Sequence, residues 1–182
     1  LESIARDMGE TLRRTALSVN VKERLDYSCG IVDAEGRLVV NAPHMPVHLG
    51  AMGDCVRSVQ AEIEPCPGDT ILVNHPAFGG SHLPDLTLAT PVFAGERIVA
   101  WVVNRAHHAE IGGTRPGSMP PDARSIDQEG FIIGHHLLVD QDGAVTFPAM
   151  PGCRQLEDVR ADLLAQVASC AQGARRSCRA RR

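Results

Sequence analysis

LTLATPVFAGERIVAWVVNRA (86–106) decides the fold. Two apolar runs, 86–94 and 97–106, flank the turn Gly95-Glu96 and read as a pair of antiparallel strands. Working outward, TILVN (70–74) reads as a short buried strand, and the glycine-rich loop NHPAFGGSHLPD (74–85) joins it to the pair. YSCGIVD (27–33), the turn DAEG and RLVVN (37–41) form a second hairpin, because the turn residues tolerate the required backbone angles. FIIGHHLLVD (131–140) and AVTFP (144–148) suggest a third across Gln141-Asp142-Gly143. Leu1, Ile4, Met8 and Leu12 recur at helical spacing and predict a helix over 1–17. Met52, Val56, Val59 and Ile63 predict another, stopped by EPCPGD (64–69). Leu156, Val159, Leu163, Leu164 and Val167 predict a last one over 155–173. Strands and helices do not alternate as they do in a doubly wound sheet. The expected class is α+β, a mixed and largely antiparallel sheet with flanking helices.

The 182 residues suffice for one domain or a large part of one. Apolar residues make up 43%, but aromatics only 3%, so the core must rest on Val, Leu, Ile and Ala. A formal charge of −4 argues against a nucleic-acid binder. Only RRSCRARR (175–182) is basic, and 174–182 is expected to be a disordered tail or the product of a broken end. The six cysteines include no CxxC pair, which excludes a zinc ribbon or a thioredoxin-type motif. Reduced thiols and a cytoplasmic location are expected. No apolar run is long enough to cross a bilayer.

The histidines carry the chemical information. His82 and Asp85 stand three apart where one strand of the central pair starts, and His107 and His108 stand where its partner ends. In an antiparallel pair those two ends are neighbours, so His82, Asp85 and either His107 or His108 can converge. Two imidazoles and a carboxylate suit a divalent metal and leave positions open for water or substrate. Adjacent histidines diverge on a strand, so one of the two reaches the metal and the other binds substrate or backbone. Glu110 is placed to orient an imidazole or act as a general base, with His108 as a second proton carrier. Arg105 suits a substrate carboxylate. Gly79, Gly80, Gly112 and Gly113 allow close approach of backbone to a ligand. His48 has a substrate role or a capping role. His44, His75, His135 and His136 read as structural, the last two on opposite sides of a strand. PGSMPPD (116–122) reads as a rigid loop or as a pocket wall.

NAPHMPVHLGAMG (41–53), GDTILVNHPAFGGSHLPDLTLATPVF (68–93), NRAHHAEIGGTRPGSMPPDA (104–123) and QEGFIIGHHLLVD (128–140) resemble the hydantoinase B/oxoprolinase family. The likeness spans residues 1–173, an incomplete N-terminal part of a longer domain. It implies a metal held by His82, Asp85 and His107, with manganese, zinc or iron as the ion. It also implies ATP-dependent opening of a small cyclic amide, 5-oxoproline or a hydantoin. It further implies that ATP is used by a hydantoinase A-type subunit or fused half in a hetero-oligomer, with which the lack of a P-loop motif here is consistent. Alternatives are an acetone or acetophenone carboxylase alpha-type subunit, and a metal-stabilised module without activity. Glu110 replaces the family's usual aspartate and reaches one methylene further. IIGHHLL departs from the family pattern, which supports non-catalytic roles for His135 and His136.

Overall fold

The computed structural model describes residues 1–42, 45 and 48–179; His44 therefore lies outside the described residues. Along the chain come α1 (Glu2–Thr15), α2 (Val19–Lys22), β1 (Tyr27–Asp33), β2 (Leu38–Asn41), α3 (Leu49–Glu62), β3 (Thr70–Val73), β4 (Asp85–Ala94), β5 (Arg97–His107), β6 (His136–Val139) and α4 (Leu156–Arg179). The six strands form one sheet in the order β2-β1-β5-β4-β3-β6, antiparallel at every neighbour. The class is the α+β one expected. No helix among the described residues is long and apolar enough to cross a membrane.

The β4–β5 hairpin is the axis of the sheet, with Asp85 opposite His107 at its far end. Alternation of side chains sends Ala100, Val102 and Ala106 to one face and Trp101 and Val103 to the other. The first face is covered by α1 and α4, the second by α3. Ile4, Met8 and Leu12 make the buried stripe of α1. That helix stops at Thr15 rather than 17 because Asp162 of α4 takes the next amides: its Oδ1 accepts from Leu17 N (2.6 Å) and Ser18 N (3.2 Å). Ser18 then caps α2 through Val21 N.

The third hairpin is shorter than predicted. Phe131 and Ile133 are core residues outside any strand, because Asn74 takes the place of a ladder. Its Nδ2 donates to Phe131 O, its Oδ1 accepts from Ile133 N, and its own amide donates to Ile133 O. Residues 144–148 reduce to a single bridge, Val139 to Val145. His135 therefore precedes β6; its Nε2 meets Ser58 Oγ at 3.1 Å and its ring lies against Phe78. His136 opens β6, and its Nε2 donates to Thr146 O. At the far end, α4 runs on to Arg179, past residue 173. Ala174 and Cys178 pack on the core, and Arg176 pairs with Asp7 of α1.

Candidate metal centre

The register of β4 and β5 sets Asp85 and His107 directly opposite each other, with both side chains on the α3 face. His82 reaches the same point from the turn before β4. Its carbonyl accepts from Asp85 N (3.0 Å), Leu83 is buried in the core, and Pro84 O accepts from His108 N (2.9 Å). The loop is thus pinned on both sides of the imidazole. His82 Nε2 lies 2.9 Å from Asp85 Oδ1 and 3.0 Å from His107 Nδ1, and His107 Nδ1 lies 3.1 Å from the same Oδ1. Asp85 is 1% exposed, while the side chains of His82 and His107 are 39% and 12% exposed. The group is buried on one side and open on the other.

This triangle does not close as hydrogen bonds alone. Each ring nitrogen carries at most one hydrogen, so if both donate to Asp85 their mutual contact is unsatisfied. A cation in the middle satisfies all three donors at once. Donor atoms about 2.1 Å from one ion are about 3.0 Å apart in an octahedral arrangement and about 3.4 Å apart in a tetrahedral one. Edges of 2.9–3.1 Å let one ion touch all three atoms. The second carboxylate oxygen, Asp85 Oδ2, is buried without a hydrogen-bond partner, and His48 Nε2 stands 3.4 Å from it. Burial alone would raise the carboxyl pKa. The imidazoles of His107, His48 and His82 more than offset it and hold Asp85 ionised far below the usual carboxylate range. Asp85 in turn pushes the His82 pKa up. The residues present fit a divalent ion.

His48 joins the centre from behind. It is 2% exposed at the start of α3, with Nδ1 3.2 Å from Ser28 Oγ and Nε2 facing Asp85. It touches the acid that a metal would use rather than the open side. Asp26 was not foreseen. Its carboxylate stands 4.0 Å from His107 Nδ1 and 3.9 Å from His48 Nε2, and its carbonyl accepts from His107 N (3.0 Å). A signal for it exists: Asp26 directly precedes β1, whose Tyr27 pairs with Ala106, so the same end-to-end logic that joins Asp85 to His107 brings Asp26 to the same place.

The other predicted residues have different surroundings. Arg105 is fully buried, and its guanidinium donates to Thr87 Oγ1 (2.7 Å), Ser81 Oγ (2.9 Å) and Gly79 O. Three of its five N–H groups are bonded in this way, one to β4 and two to the loop that carries His82. Glu110 is 4% exposed and binds Arg154 through both oxygens, together with Gly112 N and Ser118 Oγ. These bonds fold the loop after β5 onto itself, and none of them reaches the triad. His108 points to the α4 face, where its Nε2 lies 2.8 Å from Gln166 Oε1. Gly79 has a φ of +82° and presses on the backbone of α3 at Cys55, and Gly112, at +84°, presses on Pro151 O. Gly80 and Gly113 likewise abut backbone, at Asn74 and Glu129. All four serve close chain packing in this structure.

With the geometry described, comparisons with known proteins add a context. The hydantoinase B/oxoprolinase family matches residues 1–180. The chain is 46% identical to 5-oxoprolinase 1 of Arabidopsis thaliana over 187 residues, covering 93% of this chain and 15% of that protein. A crystal structure of the ATP-dependent caprolactamase of Pseudomonas jessenii superposes with a TM-score of 0.84 at 30% identity, over 96% of this chain and 31% of that one. A nucleotide-free structure of acetone carboxylase superposes at 0.88 with 20% identity, over 96% of this chain and 24% of that one, a likeness of fold alone. The chain spans about one-seventh of the 5-oxoprolinases it matches, 14% in the case of that of Saccharomyces cerevisiae.

Proposed function

The chain belongs to the hydantoinase B/oxoprolinase family, and on that premise we propose that it supplies the metal centre of an ATP-dependent amidohydrolase that opens a small cyclic amide of the 5-oxoproline type. One observation carries the reading: His82 Nε2, Asp85 Oδ1 and His107 Nδ1 lie within 3.1 Å of one another at an open sheet end. The relatives support the substrate class, since 5-oxoprolinases and a caprolactamase subunit are both named for lactams.

In this reading His82 and His107 bind the ion as neutral donors and Asp85 supplies the negative charge. When bound, the divalent ion supplies Lewis acidity, lowering the pKa of a water or polarising the substrate oxygen. Two imidazoles and one carboxylate would suit manganese, iron or zinc. His48 Nε2 stands 3.4 Å behind Asp85 Oδ2 and favours the ionised carboxylate. Asp26, the one further carboxylate within 4.0 Å of the triad among the described residues, stands where it can fill a fourth position or receive a proton. ATP is used by a hydantoinase A-type subunit or fused half, a reading supported by an ATP-dependent relative and consistent with the lack of a P-loop here.

The test uses the intact protein that carries this chain. Purified protein is analysed for metal and assayed for ATP-dependent conversion of 5-oxoproline to glutamate, beside a His82→Ala variant. The variant is expected to lose both metal and turnover. A variant that kept its metal and full activity would contradict the proposal.

A further inference from the structure

We propose that Leu25 is a positioning residue for the metal centre: its left-handed backbone aims the Asp26 carboxylate at His107 and His48. The inference rests on the metal reading of the triad, and Leu25 acts through Asp26.

Leu25 has a φ of +55°; Ser118, at +52°, is the other non-glycine residue with a positive φ among the described residues. Polar bonds hold Ser118 there. Its Oγ accepts from Ile111 N (2.8 Å) and Gly113 N (3.1 Å) and donates to Glu110 Oε1 (3.2 Å). A leucine side chain can make no such bonds. Glycine enters this region freely, asparagine and aspartate occasionally, and a residue that ends a helix in it is usually glycine. Such a conformation persists in other residues where the surroundings impose it. For Leu25 they are the elements on either side. α2 ends at Lys22, and Glu23 N and Arg24 N both donate to Val19 O (2.9 and 3.1 Å). Tyr27 is buried and paired with Ala106 of β5. The chain passes from α2 to β1 over residues 23–26 and takes its left-handed step at Leu25.

What that step places is Asp26. Its amide donates to Asn20 O (2.9 Å) and its carbonyl accepts from His107 N (3.0 Å). Tyr27 N donates to Leu25 O (2.9 Å), which closes a three-residue turn with Asp26 at the apex. The backbone of Asp26 is thus held from α2, from β5 and across the turn. Its carboxylate stands 4.0 Å from His107 Nδ1 and 3.9 Å from His48 Nε2, both beyond hydrogen-bond length. With no hydrogen bond to either ring, the carboxylate takes its direction from the turn, and the turn takes its shape from Leu25. A return of Leu25 to negative φ would rotate the turn and carry the carboxylate away from the triad.

The test is a chelator-competition titration of the intact protein with Mn²⁺, which reads metal affinity rather than turnover. Leu25→Val, whose branched Cβ disfavours the left-handed region, is expected to weaken Mn²⁺ binding by about tenfold, the lower end of the usual cost of disturbing groups that orient ligands. Leu25→Gly, which adopts positive φ freely, is expected to stay within about threefold of the unaltered protein. Because the loss acts through Asp26, Leu25→Val is expected to cost less than about twofold more in an Asp26→Asn background. Where thermal melting shows that Leu25→Val fails to fold, Leu25→Thr, equally branched and suited to this exposed position, decides. Unchanged affinity in the folded branched variant, a tenfold loss in Leu25→Gly, or the full loss retained beside Asp26→Asn would each overturn the proposal. If His82→Ala binds Mn²⁺ as tightly as the unaltered protein, the metal reading fails and this inference with it. If His82→Ala loses Mn²⁺ while the branched variant keeps it, this inference alone fails.

Discussion

His107 and His108 are sequence neighbours that serve opposite faces of a sheet, and the consequence is measurable. His107→Ala should strip the metal centre and leave the Gln166 network intact, whereas His108→Ala should retain metal. Metal content after dialysis separates the two. Residues one step from the ion should have graded effects. His48→Gln and Asp26→Asn are each expected to lower metal affinity by about 10–100-fold, the usual cost of disturbing groups that orient ligands. A chelator-competition titration reads this directly. At this scale the sequence was informative where strand register alone decides proximity: His82, Asp85 and His107 follow from a hairpin and its turn. For Arg105 and Glu110 it does not show the partners that the fold supplies. A charged residue beside a candidate site suggests a substrate contact, but a sequence does not show whether its donors are already taken. Here Gly79 O, Ser81 Oγ and Thr87 Oγ1 bind Arg105, and Arg154 binds Glu110.

At the scale of elements, Arg105 ties the GGSH loop to the centre of the sheet. Arg105→Lys keeps the charge but offers no planar fork. Burial already pushes the Arg105 pKa down, so a buried lysine would lose its proton more readily still. The variant is expected to fold with a looser His82 loop and metal affinity at least about tenfold lower. Helix contact gives a second prediction. Gly173 of α4 sits against the Met8 side chain of α1, where an added Cβ would collide with the sulfur. A glycine inside a helix costs roughly 0.5–1 kcal/mol relative to alanine, and close approach of the two helices explains its presence. Gly173→Val should destabilise the protein by about 1–3 kcal/mol through overpacking, seen as a lower denaturation midpoint. Element boundaries were legible where a turn residue or an amphipathic stripe marked them, as in β4, β5 and the start of α1. They were not legible where one distant side chain decides. Asn74 replaces a strand at 131–133, and Asp162 ends α1, and both act from tens of residues away.

Across the whole molecule the proposed metal centre gathers β4, β5, the turn before β4 and the residues that lead into β1 and α3, so an ion there should stabilise the fold as well as act on a substrate. At a free metal concentration of 100 times Kd, binding contributes about 2.7 kcal/mol, and for a domain of this size that corresponds to roughly 5–10 °C in Tm. Removal of metal with a chelator should lower Tm by that amount and abolish turnover together. Loss of stability with turnover preserved would instead identify a purely structural ion. The pH dependence sharpens the test. Asp85 has a depressed pKa, so its contribution is present above its ordinary value of about 3.9 and is lost as pH falls. His82 has a raised pKa, so its contribution to the metal-free fold is complete below about 6.5 and is lost as pH rises through the raised value. An ion needs the same nitrogen without its proton, so metal binding releases that proton and strengthens as pH increases. The metal-free protein therefore weakens at alkaline pH while the metal-loaded one does not. The difference in Tm between them should widen from pH 6 to pH 8, and should be absent at every pH in His82→Ala, as paired thermal melts with and without chelator will show.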